Sequence, residues 1–173
     1  MSIYAAPNFP LMTARDRTAV HGSSALLQFL LGHGRSTAIK DGSLLVGRIL
    51  ITQIFLMNGA AKVMDWSGTE AQMAERGMFL IPFFHVAAIA VEFSAGLGVL
   101  LGFKFRLSVL MLFLFLIPVT LVFHNFWTCP PSEQQLQMIN FLKNISIMGG
   151  LLLLFGTDGG SLSVEQADED RHP

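Results

Sequence analysis

Residues 81–102 read IPFFHVAAIAVEFSAGLGVLLG, and a four-residue turn, FKFR at 103–106, joins them to LSVLMLFLFLIPVTLVFHNFW at 107–127. A helix crossing ~30 Å of hydrocarbon needs about 20 mainly apolar residues, and each run supplies them. The apolar residues are continuous rather than alternating, which excludes barrel strands. A turn this short makes the two spans an antiparallel helical hairpin, with Lys104 and Arg106 at its closed end. That hairpin decides the fold class, an all-α membrane protein, and the rest of the chain is read outward from it.

Two further runs of the same kind flank the hairpin. Residues 44–63, LLVGRILITQIFLMNGAAKV, precede it, and residues 139–156, INFLKNISIMGGLLLLFG, come after it. The prediction is a four-helix transmembrane domain over 44–156, between an N-terminal extension, 1–43, and an acidic tail, 157–173. The charges support this division. Charged residues are 13% of the 173-residue chain, against about 25% in an ordinary soluble domain. Of the 23, only 11 fall in the 113 residues of 44–156. A net charge of −1 gives no nucleic-acid footprint, and one cysteine gives no disulfide framework. No internal repeat is visible.

Lysine and arginine set the orientation. Arg15, Arg17, Arg35 and Lys40 precede the first span, and Lys104 and Arg106 fill the turn between spans two and three. The loop between spans one and two holds a single cation, Arg76, and residues 128–138 hold none. Both termini and the FKFR turn are therefore expected in the cytoplasm. Trp66 and Trp127 then both fall at the outer interface, where indole rings prefer to sit.

The loop after span one has structure of its own. Ser67-Gly68-Thr69-Glu70 fits a capping box, Gln72–Arg76 continue it, and Gly77 is a natural stop. The expectation is a short helix on the outer surface, read as an architectural element, with a lid over a site as the alternative. In the N-terminal extension, Leu26, Leu27, Leu30 and Leu31 would share one face of a short interfacial helix, and a partly ordered arm is the competing reading. The first apolar stretch, Ala25–Leu31, does not make a signal peptide. The terminal SVEQADEDRHP reads as disordered.

Ionisable side chains within spans are costly, and they usually face the bundle or a cavity. Span one carries Arg48, Gln53, Asn58 and Lys62. Span two carries His85 and Glu92, span three ends in His124-Asn125, and span four carries Asn140, Lys143 and Asn144. At ~1.5 Å per residue, all but Arg48 and Gln53 lie between the midplane and the outer surface. Helical phase sorts them further. Asn58 and Lys62 share a face, as do His85 and Glu92, and so do Asn140, Lys143 and Asn144. Four helices with one polar face each can enclose a single polar pocket. Its candidates are Lys62, Glu92, His124, Asn125, Lys143 and Asn144, with Asn58, His85 and Asn140 secondary.

Each residue also has a plainer reading. Arg48, near a membrane end, is expected to be a snorkelling anchor, and Lys62 is close enough to the outer end to snorkel as well. Glu92 near the midplane needs a lysine partner or a proton. Lys143 is the expected partner and Lys62 the alternative. Ala90, Ser94, Gly98 and Gly102 recur every four residues as a small-residue ridge for close helix approach, and Pro118 is expected to kink span three. No Walker or dinucleotide glycine pattern, no CxxC and no zinc spacing occurs. Paired histidines can hold a haem, yet no supporting pattern accompanies His85 and His124. Catalytic residues are not assigned from the sequence.

Taken in order, GRILITQIFLMNGAAKV, PFFHVAAIAVEFSAGLGVLLGFKFRLSVL, FHNFW, FLKNISIMGGLLLL and the post-span GTDGGSLSVE resemble the DoxX family of small bacterial membrane proteins. The resemblance covers roughly 44–165 and leaves the first 43 residues as an extension. It implies a multi-pass four-helix bundle in the bacterial inner membrane. The family is named for its similarity to a subunit of a thiosulfate:quinone oxidoreductase, and members are linked to quinone or catechol stress and to oxidative-stress complexes. Lys62, Glu92, His124, Asn125, Lys143 and Asn144 match the family's recurrent polar positions.

Three functions fit these expectations. The first is a redox-associated membrane component with a quinone-accessible pocket. Quinone would be the ligand, no cofactor would be held covalently, and a redox partner would carry the electrons. The second is a non-catalytic accessory subunit of a larger membrane complex, docked through the small-residue ridge and the N-terminal arm. The third, a small-anion binder or transporter drawn by Lys62 and Lys143, is weakened by four spans without an inverted repeat.

Overall fold

A computed structural model describes residues 14–165, with side chains from residue 37 onward. It divides into two units, residues 1–39 and 40–173. The first contributes helical residues from Ala14, so the short helix expected at Ala25–Leu31 is part of a longer helical run. Nearly all the described side chains belong to the second unit.

The elements in order are α1 (Ala14–Met64), α2 (Trp66–Glu75), α3 (Ile81–Leu101), α4 (Phe105–Phe123), a 3₁₀ turn (Phe126–Thr128) and α5 (Pro131–Phe155). Every described element is helical. Four segments are long and apolar enough to span a membrane: Thr37–Met64, Ile81–Leu101, Phe105–Thr128 and Pro131–Phe155.

Boundaries shift where local chemistry overrides hydropathy. α5 starts at Pro131, well before Ile139, because proline suits the first turn of a helix and the polar stretch SEQQLQM is helical as well. α4 ends at Phe123 rather than at Trp127. The backbone leaves the helix at His124 and Asn125 and makes one 3₁₀ turn. The expected cap of α2 is corrected too: Asp65, not Ser67, is the N-cap, its carboxylate accepting from the Gly68 amide at 3.2 Å. Gly77 does stop this helix, in the left-handed region at φ 69°. α4 runs on through Pro118.

Phe55, Ala95, Val99, Phe105, Val109, Leu112, Leu116, Leu151 and Leu154 form the buried core. Most other large apolar side chains of the spans point outward, as a lipid-facing surface requires. Lipid tails are as apolar as leucine, so van der Waals fit and polar contacts hold such helices together. Two close approaches supply that fit. A Cβ on Gly96 would meet Leu56 of α1, and one on Gly98 would collide with Ser108 of α4. The expected ridge is therefore divided: Gly98 and Gly102 are buried, whereas Ala90 and Ser94 are exposed.

At the FKFR end the chain beyond α5 folds back onto the bundle. The tail expected to be disordered from Ser163 is fixed as far as Glu165. Ser161 donates from Oγ to Asp41 at 2.6 Å, the Glu165 amide donates to the Gly102 carbonyl at 3.3 Å, and the Glu165 carboxylate accepts from the Phe105 amide at 3.3 Å. Residues 166–173 lie outside the described region.

Beneath this segment lies Arg48, only 1% exposed. The snorkelling expectation is thus corrected. Its Nη2 donates to the Leu162 carbonyl at 2.7 Å, while Nε and Nη1 have no hydrogen-bond partner among the described residues. The guanidinium packs on Gly102, whose φ of 71° and missing side chain make the room.

Candidate functional site

The opposite end, where α2 lies, holds a cavity of about 370 Å³. Phe55, Phe115, Leu116, Val119, Phe123 and Ile147 form its apolar wall, and Asn58, Lys62, Glu92, His124, Lys143 and Asn144 bring polar groups into it. Residues from α1, α3, α4, α5 and the α4–α5 connection meet there, as the helical phases predict.

Lys62 and Glu92 face each other across α1 and α3. The ammonium donates to both carboxylate oxygens, at 2.8 and 2.9 Å. Glu92 is 3% exposed and Lys62 22%. Gly59, one turn before Lys62 on α1, allows this approach: a Cβ there would press on Phe93 and Glu92 at 3.1 to 3.4 Å. The expected Glu92–Lys143 pair is therefore corrected, and Lys62 is the partner. Lys143 is exposed and donates instead to Asn140 Oδ1 at 3.0 Å, one turn earlier on its own helix.

Asn144 is buried and donates through Nδ2 to Thr120 Oγ1 at 3.1 Å, which ties α5 to α4. His124 Nδ1 lies 2.9 Å from Gln137 Oε1. With the Gln137 oxygen as acceptor, Nδ1 is assigned as the donor, which leaves Nε2 as the acceptor of the neutral tautomer.

Three candidates stand apart from the cavity lining. Asn125 Oδ1 accepts from Arg76 Nη1 at 3.1 Å, which pins the end of α2 to the end of α4. Asn140 serves Lys143. His85 is fully buried under the Trp66 ring, with centroids 4.1 Å apart. Its Nε2 is 3.3 Å from the Lys62 carbonyl and its Nδ1 3.7 Å from Glu70, whose carboxylate also accepts from the Trp66 indole at 3.0 Å. His85 thus joins α3 to α2 and to the end of α1, directly behind the Lys62 backbone.

The sequence reading missed several lining residues. Asp65, the N-cap of α2, and Thr69, Gln72 and Met73 within it all border the cavity, so this helix roofs it rather than serving architecture alone. Their spacing, with Asp65, Thr69 and Met73 four apart, was the available signal. Thr120 and Gln137, which hold Asn144 and His124, were missed as well; Thr120 is one turn before His124. Among the described residues no cluster of three or more histidine, cysteine or carboxylate side chains could hold a metal ion. Chemically, the cavity offers an ion pair, an ammonium, an imidazole and an aromatic wall to a small polar head with an apolar edge.

A family model described as DoxX matches residues 43–125, from the start of the first span to the end of the third. The chain is 33% identical to "Inner membrane protein YphA" of Escherichia coli K12 over 130 residues, 75% of this chain and 92% of that protein. It is 31% identical to "Inner membrane protein YqjF" of the same organism over 130 residues, 74% of this chain and 93% of that protein. No solved structure matches it. Four apolar spans and relatives of this kind make it a multi-pass inner-membrane protein in contact with the lipid bilayer. The matched region carries Lys62, Glu92 and His124 on the same helices that enclose the cavity, and the chain belongs to the DoxX family.

Proposed function

We propose that the chain is a redox-associated membrane component whose cavity receives a quinone head group. The observation that carries the reading is the meeting of Lys62–Glu92, His124 and Lys143 in one space with an aromatic wall. A quinone has two carbonyl oxygens that accept hydrogen bonds and a flat ring that packs on Phe115 and Phe123. Lys143 donates to one carbonyl. His124, with Nδ1 held by Gln137, takes a quinol hydroxyl proton at Nε2 when the quinol is oxidised and returns it when the quinone is reduced. The Lys62–Glu92 pair stores a second proton site at the depth of the ring. A redox partner in the membrane accepts the two electrons of quinol oxidation or supplies the two of quinone reduction.

The test is quinone binding by purified wild type, Lys62→Met/Glu92→Gln, Lys143→Met and His124→Ala, each with its melting curve. Folded variants that bind quinone as tightly as wild type sink the reading. We infer from the lysine and arginine bias that the cavity end lies on the outer side of the membrane. A membrane-impermeant maleimide then labels Cys129, at the α4–α5 connection, in intact spheroplasts; labelling only after the membrane is opened reverses the orientation.

A second reading, an accessory subunit of a larger complex, draws support from residues 1–42, which lie before the matched family region. Copurification of a partner in mild detergent that is lost when these residues are deleted would favour it. A small free anion is the weakest ligand, because Glu92 already occupies the Lys62 ammonium.

A further inference from the structure

A second hollow of about 410 Å³ opens on the side of the bundle between α1 and α5. Gly47, Leu50, Ile51, Ile54, Ser146 and Ile147 line it, together with one polar side chain from α1, Gln53. Ile54, Ile147 and Lys143 border both this groove and the polar cavity, so the two meet at Lys143. From Ile54 to Gly47 the groove runs along α1 for roughly 10 Å at ~1.5 Å per residue. It leads away from α2, along a stretch where both helices span the membrane. The groove is open at Gly47, where an added Cβ would meet nothing within 4 Å.

We propose that this groove is the side entrance of the cavity and the seat of an isoprenoid tail, so that the ligand is a membrane-dissolved, long-chain quinone rather than a water-soluble one. The proposal rests on the quinone reading of the cavity and names its ligand class. The head lies among Lys62, Glu92, His124 and Lys143, and the tail leaves past Ile54 and Ile147 into hydrocarbon. A phospholipid fits this arrangement poorly. A phospholipid chain can lie in the groove with its phosphate at the interface, but that phosphate then stops short of the polar cavity, because Glu92 is midway along α3, roughly 16 Å from its start at ~1.5 Å per residue.

The experiment compares two ligands on the purified full-length protein: a naphthoquinone without a tail and the same ring carrying several isoprene units. Wild type is expected to bind the tailed form at least tenfold more tightly. Gly47→Leu fills open space without a clash, so it should remove about tenfold of affinity for the tailed form and leave the tail-free form unchanged. Ser146→Leu, from the other wall, should do the same and guards against a folding defect peculiar to one variant. If wild type binds both forms equally, or if both plugged variants keep the wild-type preference, the groove proposal is wrong while the quinone reading stands. If wild type binds neither quinone, or copurifying phospholipid fills the site and is not displaced by either, the quinone reading fails and the groove proposal falls with it.

Discussion

Each end of the bundle holds a cation from α1, half-buried Lys62 at one and buried Arg48 at the other, and the two are treated in opposite ways. At the α2 end, Lys62 has a carboxylate partner at 2.8 Å and stands beside open volume. At the FKFR end, Arg48 has one carbonyl at 2.7 Å, two nitrogens without partners among the described residues, and the segment 157–165 folded over it. A charge kept in low dielectric next to empty space is arranged for an exchangeable ligand or proton. A charge packed on a glycine and covered by the chain holds two segments together. Fourteen residues separate the two on one helix, and only their surroundings assign the roles.

The comparison breaks most readily at Gly102. Gly102→Val places a branched side chain at φ 71° against Ser163 and Arg48, and both the left-handed strain and the overlap are unfavourable. A loss of about 4 kcal/mol or more in detergent unfolding is expected. Release of the C-terminal segment should accompany it, read as new protease cleavage near residues 157–165. If the segment stays protected, the two ends are not as different as described.

Next in size is Lys62→Met, which leaves the Glu92 carboxylate buried without its partner. A loss of about 3 kcal/mol is expected, and Lys62→Met/Glu92→Gln should recover most of it, because an unpaired buried charge costs more than an absent pair. The same pair of measurements with Lys143→Met in place of Lys62→Met should show no such recovery, since Lys143 pairs with Asn140.

Arg48→Met is expected to cost less, about 1–2 kcal/mol, because it removes a buried charge of similar shape and leaves one carbonyl, that of Leu162, unpaired. Quinone affinity should be unchanged. A large drop in affinity would couple the two ends and contradict the separation of roles. The smallest effect on stability belongs to Lys143→Met, whose side chain is exposed. Its melting temperature should match wild type while quinone affinity falls about tenfold. An unchanged affinity removes Lys143 from the site.

Much of this was legible in the chain. Residue phase placed Asn58, Lys62, Glu92, Lys143 and Asn144 on inward faces, and these line the cavity, whereas His85 and Asn140, placed on the same faces, do not. Phase does not say which partner a charge takes. Lys62 and Lys143 were both within reach of Glu92 by depth, and the choice fell to Gly59, which lets α1 approach α3. The roof was legible as a helix but not as a lining, because a capping signal reports local backbone and says nothing of what lies beneath it. Arg48 was misread for a related reason: depth alone suggests snorkelling, and nothing local reveals that residues 157–165 return to cover it.

What the sequence determined by itself is the four-span architecture and the place of each polar residue along its span, because hydrocarbon thickness and the helical repeat act on every segment separately. What only the tertiary structure decided is which side chains meet: Lys62 with Glu92, Asn144 with Thr120, Arg48 with Leu162. In a membrane the apolar faces gain nothing from mutual burial, so helix rotation and spacing are set by glycine contacts and polar pairs far apart in the chain. Those contacts form only when the whole bundle is assembled.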